Sequence, residues 1–170
     1  MSTEERKREL AKGVVSALKA AEIDFVVGLP DDWLNTAFHE IRGDATLQYV
    51  PVVNERSGAC VCAGGWLGGK RPALLMEAAG LLMATEALVR LRPFHIPFLM
   101  VISYRGDLGD GNAVAVPQGE ALPGVLDALQ IRHVVVRDPA ELEQAVTGAQ
   151  LVLEMAKQPY AVLLGKRVLV

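Results

Sequence analysis

One carboxylate in this chain stands where chemistry could use it. Glu55 follows Asn54 where an apolar run, Leu47 to Val53, gives way to small residues, Ser57-Gly58-Ala59-Cys60-Val61-Cys62-Ala63-Gly64-Gly65. An acid at such a junction can exchange a proton with a group held beyond the strand end. Small residues behind it let another backbone or a flat ring come close. A purely structural role competes on the local pattern, because acids complement the positive end of a helix dipole and Asn54 is a good N-cap. The company that Glu55 keeps tips the balance.

That company comes from the elements that must position it. Apolar clusters predict strands over Phe25–Gly28, Leu47–Val53, Ala73–Glu77, Phe98–Tyr104, His133–Arg137 and Tyr160–Leu164. Helical patterns lie between them, over Thr3–Ala20, Trp33–Ile41, Glu55–Leu67, Leu81–Leu91, Gln118–Leu129 and Pro139–Ala156. The last has an N-cap at Asp138 and Pro139 at its first position. Strands alternating with helices predict an α/β fold, a three-layer, open, six-stranded and mostly parallel sheet with helices on both faces.

Ligands of such sheets sit beyond the carboxyl ends of the strands. Those ends supply Gly28-Leu29-Pro30-Asp31-Asp32, Asn54-Glu55, Glu77-Ala78-Ala79-Gly80 and Ser103-Tyr104-Arg105-Gly106. Asp31 and Asp32 precede Trp33, so they either cap its helix or contact a ligand. Tyr104 and Arg105 could clamp an anionic substrate group. The long segment from Gly106 to Val116 reads as a loop of mobile or functional type.

Composition excludes several classes. With 51% hydrophobic but only 5% aromatic residues, the core must be built from Ala, Val and Leu, as buried parallel strands allow. A net charge of −3 and no cluster of cations among aromatics argue against nucleic acid. The first ten residues are charged with both signs and are no signal peptide, and Glu77 and Glu86 interrupt the most apolar region. No membrane association and a cytoplasmic location are therefore expected. Cys60 and Cys62, two apart on a helix, suit neither a disulfide nor a metal pair and read as buried reduced thiols.

Three motifs are decoys. Gly64-Gly65-Trp66-Leu67-Gly68-Gly69-Lys70 imitates a phosphate loop, but Arg71 stands where Ser or Thr is required and the segment ends a helix. Arg105-Gly106-Asp107 matches an adhesion tripeptide by chance. The scattered histidines show no metal-binding spacing, so no metal site is expected on this chain.

The ordered segments Gly28-Leu29-Pro30-Asp31-Asp32-Trp33-Leu34, Val52 through Ala59, Met76 through Ala87 and Ile102 through Gly106 resemble the pyrimidine-binding domain of thiamine diphosphate enzymes. Sulfopyruvate decarboxylase, in its α subunit, and phosphonopyruvate decarboxylase are the nearest families in pattern, and the resemblance covers nearly the whole chain. It implies that Glu55 hydrogen-bonds N1′ of the cofactor's aminopyrimidine. The ring's 4′ nitrogen then removes the thiazolium C2 proton, which opens the way to attack on a 2-oxo acid. It also implies cofactor contacts from Gly28, Pro30 and Gly80, and substrate contacts from Asp31, Asp32, Tyr104 and Arg105. Burial would favour the protonated form of Glu55, and the helix N-terminus the charged one.

In that family a second domain holds the diphosphate through Mg2+, marked by Gly-Asp-Gly and a later Asn. Gly109-Asp110-Gly111 offers the triplet, but no asparagine follows Asn112, and the triplet falls in the wrong type of domain. Residues 1–170 thus read as a single pyrimidine-binding domain, with the diphosphate-binding domain and its Mg2+ expected on a separate subunit in an α2β2 or higher assembly. Against the family pattern, the segment Glu77-Ala78-Ala79-Gly80-Leu81-Leu82-Met83 has lost polar residues, and a Gln expected near Ala115 is absent. Those departures point to a substrate less anionic than sulfopyruvate, and leave a carboligase subunit or a non-catalytic partner as alternatives.

Overall fold

A computed structural model describes residues 2–170. Six strands, β1 (Phe25–Gly28), β2 (Gln48–Pro51), β3 (Pro72–Glu77), β4 (Leu99–Ser103), β5 (Arg132–Val136) and β6 (Tyr160–Leu164), form one sheet in the order β2-β1-β3-β4-β6-β5. Every pairing is parallel. The central strands β1, β3, β4 and β6 are buried along nearly their whole length, as continuous apolar runs such as Pro72-Ala73-Leu74-Leu75-Met76 require. The partly exposed β2 and β5 are the sheet's edges, where Pro51 is tolerated because no further strand needs its missing N–H.

The α-helices are α1 (Thr3–Ala20), α2 (Asn35–Gly43), α3 (Glu55–Leu67), α4 (Ala78–Leu91), α5 (Val116–Ala128), α6 (Leu142–Ala156) and the short α7 (Lys166–Leu169). Helices α1, α2 and α6 cover one face through Leu18, Phe38, Ile41 and Val146. Helices α3, α4 and α5 cover the other through Ala59, Cys62, Leu81, Ala84 and Leu122. The expected three-layer architecture is present, with all strands parallel rather than most.

Four helix starts differ from the sequence reading, each for a local reason. Helix α2 begins at Asn35, not Trp33, because the Asp31 carboxylate accepts hydrogen bonds from the Trp33 and Leu34 N–H groups and holds a turn there. Helix α4 starts at Ala78, directly after β3, rather than at Leu81. Helix α5 starts at Val116, not Gln118, with Pro117 in its first turn. Asp138 does cap, accepting from the Ala140 N–H at 3.0 Å, but the turn at Pro139–Glu141 is a 3-10 helix ahead of α6. The cysteines divide as well. Cys62 is buried, and burial pushes its thiol up, whereas Cys60 is exposed on the other side of α3.

Candidate active site

The chain topology singles out one crevice. The segment after β1 runs into α2 on one face of the sheet, whereas the segments after β2 and β3 run into α3 and α4 on the other. Strands β1 and β3 are neighbours, so the backbone parts between their carboxyl ends, at the kind of switch point where α/β sheets bind ligands. Asp31 and Asp32 lie on one side of this split, with Glu55, Glu77 and Gly80 on the other.

Glu55 opens α3 behind Asn54, whose side chain accepts the Ser57 N–H at 2.8 Å. The cap is therefore supplied by Asn54, and Glu55 is free of that duty. It is 8% exposed, yet no described residue donates a hydrogen bond to it. Neither carboxylate oxygen is sealed from solvent. A shielded acid with an open and unpartnered face is costly to keep without a ligand, since buried polar groups otherwise find partners.

Gly80 explains how the acid is held. A Cβ at this position would lie 2.6 Å from Glu55 Cγ, 2.7 Å from Oε1 and 2.8 Å from Cδ. The glycine lets the α4 backbone press against the Glu55 side chain. Gly28 serves the sheet instead. Its missing Cβ would fall 2.5 Å from the Leu75 carbonyl and 2.7 Å from the Phe38 ring, and its carbonyl accepts from the Tyr49 hydroxyl and the Val52 N–H. Pro30 is half-buried at the mouth of the crevice, next to Asp31.

Asp31 uses both carboxylate oxygens within the protein. Oδ1 accepts from the Trp33 and Leu34 N–H groups at 2.7 and 3.0 Å, and Oδ2 accepts from Ser103 Oγ at 2.8 Å. Asp32 is exposed. Tyr104 sits in the core on the α3–α4–α5 side, where burial raises its hydroxyl and the acting charges are Asp107 and Arg137. The geometry thus brings Asp31 and Asp32 to the crevice with Glu55, while the Tyr104 ring turns into the core.

Arg105 is 9% exposed, not the solvated loop residue its position suggests. Its guanidinium lies 4.7 Å from the Trp33 ring centroid, and Nε donates to Asp110 at 2.8 Å. Burial lowers the guanidinium and the Asp110 hydrogen bond raises it, with a net rise. Asp110 also accepts from the Gly106 and Asn112 N–H groups. Burial pushes its carboxyl up, but these donors, Arg105 first, bring it below the ordinary value. The aspartate of Gly109-Asp110-Gly111 is therefore committed to fastening the loop. Gly106, at φ +80°, closes that loop, since a Cβ there would meet the Ala115 carbonyl at 2.2 Å.

Glu77 stands among the strand ends read from the sequence but was given no role there, although it ends β3 in register with Ser103. Its carboxyl stands above the ordinary value, pushed first by burial, then by Asp31, Glu55 and Asp32, while Arg105 opposes them. These groups share one electrostatic field. Its position at a central strand's carboxyl end was the available signal.

The profile described as thiamine pyrophosphate enzyme, N-terminal TPP binding domain, matches residues 8–113. The chain belongs to this family. It is 31% identical to the sulfopyruvate decarboxylase subunit alpha of Methanococcus maripaludis, over 91% of this chain and 93% of that one. The corresponding subunit of Methanothermobacter thermautotrophicus is 34% identical, over 82% of this chain and 86% of its own length. Phosphonopyruvate decarboxylase of Streptomyces viridochromogenes is 27% identical over 93% of this chain but only 41% of its own length. Among solved structures, 2-oxoglutarate:ferredoxin oxidoreductase from Magnetococcus marinus superposes with a TM-score of 0.74. At 17% identity, over 94% of this chain and 29% of that one, it shows the shared fold alone.

Glu55 offers an acceptor with no donor among the described residues, of the kind an aminopyrimidine calls for, and the room left by Gly80 is taken up by the Glu55 side chain itself. No helix among the described residues is long and apolar enough to cross a membrane.

Proposed function

We propose that this chain is the α-type subunit of a thiamine-diphosphate-dependent 2-oxo acid decarboxylase, and that Glu55 activates the cofactor's aminopyrimidine. The observation that carries the reading is a shielded carboxylate without a protein partner, seated against Gly80 at the switch point of the sheet. Glu55 would hold or share a proton with N1′ of the ring. When bound, the cofactor supplies an electron sink for loss of the substrate carboxylate. Pro30 lines the β1 wall of the ring's site, Gly28 sets that wall indirectly by letting β1 pack against Leu75 and Phe38, and Gly80 sets the position of Glu55. Asp31 holds the first turn to β4 through Ser103, and with Asp32 gives the substrate side its negative charge.

Arg105 is the cation available for the carboxylate of the 2-oxo acid. Its Nε is taken by Asp110, but its two terminal nitrogens have no acceptor among the described residues. Trp33 supports it by stacking under the guanidinium, while Tyr104, next to Arg105 in the chain and expected from the sequence as a substrate contact, lies in the core. A second subunit would supply the diphosphate site and Mg2+, in an α2β2 or higher assembly. Two observations support this division: Asp110 is fastened to Arg105, and the relatives matched over most of their length are named as alpha subunits. A cytoplasmic location goes with the reading.

The test mixes this chain with a subunit bearing the diphosphate motif, adds thiamine diphosphate and Mg2+, and follows carbon dioxide release. Glu55→Gln is expected to lose on the order of 10²-fold or more in turnover with assembly intact, the range for a positioned acid–base group. An active Gln variant removes the assigned role. Product analysis separates release of the aldehyde from carboligation, and turnover that does not need this chain would make it a passive partner.

A further inference from the structure

The charges that face the substrate end of the crevice are nearly all of one sign. Asp31 and Asp32 come from the turn after β1 and Glu77 from the end of β3, while Glu55, at the start of α3, belongs to the ring's end of the site. The opposing cation is Arg105, and Asp110 already sits on it at 2.8 Å. The side chains of that pair are 11% and 6% exposed, so solvent does little to screen it and its two charges largely cancel. Arg56, nearby in sequence, is turned to Glu86 at 2.9 Å on the outer face of α3 and α4. Arg137 is held by Asp107 through two hydrogen bonds of 2.8 and 2.7 Å.

A 2-oxo acid brings one carboxylate, and the free terminal nitrogens of Arg105 can meet it. Arg56, Arg105 and Arg137 are each already paired with a carboxylate, so a second anion on the substrate would meet no uncompensated charge among them. It would instead lie beside the half-buried carboxylates of Asp31 and Glu77 and the exposed one of Asp32, like charges that repel it. Glu77 feels that field itself, since Asp31, Glu55 and Asp32 all raise its carboxyl.

Building on the function proposed above, we infer that this chain's side of the crevice selects 2-oxo acids whose remainder carries no second negative charge, with Glu77 as the residue that enforces the choice. A sulfonate or phosphonate tail, of the kind named in the relatives, is then a poor substrate here. The inference concerns charge, not size, and so admits an apolar, hydroxylated or cationic tail.

The experiment compares kcat/KM of the assembled enzyme for pyruvate and for 3-sulfopyruvate. A preference for pyruvate of about tenfold or more is expected, and Glu77→Gln should move the ratio about fivefold toward sulfopyruvate, the scale of one removed like charge. Glu77→Asp, which keeps the charge, should leave the ratio near its starting value. Where Glu77→Gln does not assemble, Asp32→Asn, at an exposed position, should move the ratio in the same direction. A preference for sulfopyruvate, or a ratio unmoved by removing these charges, overturns the inference while leaving the decarboxylase reading in place. Turnover of no 2-oxo acid at all overturns the proposed function, and this inference with it.

Discussion

Gly80→Ala tests the link between backbone and chemistry more sharply than any change to the acid itself. The added methyl carbon would lie 2.6–2.8 Å from three atoms of Glu55, short of ordinary contact by roughly 0.7–0.9 Å. The Glu55 side chain must give way, because Gly80 is fixed in the first turn of α4 and is buried. Alanine favours a helix by about 1 kcal/mol over glycine, and the clash costs roughly 1–3 kcal/mol, so the net change in stability is about 2 kcal/mol or less. For a domain of this size that is a melting shift of about 6 °C or less. Turnover should suffer far more, since displacing a reacting group by about 1 Å costs on the order of 10²-fold. The assay pairs thermal unfolding with carbon dioxide release by the assembled enzyme. The double variant Gly80→Ala/Glu55→Gln adds the deciding control: if Gly80 acts only by placing Glu55, it should be no slower than Glu55→Gln alone. Near wild-type turnover by Gly80→Ala, or additive losses in the double variant, would refute the reasoning.

Two further variants probe the surroundings. Asp110→Ala leaves the Arg105 guanidinium without its partner and releases the Gly106 and Asn112 N–H groups, so unfolding free energy should fall by roughly 2–4 kcal/mol. Proteolysis should then cut first between Gly106 and Val116; a chain as stable and as resistant as wild type would show the loop is fastened by something else. Glu77→Gln should raise the melting temperature as pH climbs above 4.5, since the folded protein holds the Glu77 carboxyl above that ordinary value. The unfolded chain gives up that proton first as pH rises, so the native acid loses stability through and above this window, and the Gln variant is spared. Below pH 4.5 the two proteins should melt together. A difference that grows toward acid pH would reverse the assigned sign.

The layered fold was legible because it depends on runs and periods. Continuous apolar stretches such as Leu99-Met100-Val101-Ile102 can only be buried strands of a covered parallel sheet, and their spacing leaves room for crossover helices. Glu55 was legible for a related reason, as strand end, cap and small-residue helix are read from consecutive residues. Element starts were less so. A turn held by Asp31 and a helix opening directly at Ala78 are decided by hydrogen bonds whose alternatives look alike in the sequence.

The roles around Glu55 could not be read in this way, because each depends on partners far apart in the chain. Ser103 reaches Asp31 across 72 positions, and Trp33 comes under Arg105 only when β1 and β4 lie in one sheet. A sequence shows Arg105 as a loop cation ready for an anion. The fold gives it to Asp110 five residues on, and that single pairing changes the charge of the whole substrate end. Counted as residues, the crevice has an arginine to match an acidic substrate; counted as unpaired charge, it is negative. On the proposed reading, the paired guanidinium keeps two terminal nitrogens for one carboxylate but little net charge for a second anion, so selectivity would follow the second count.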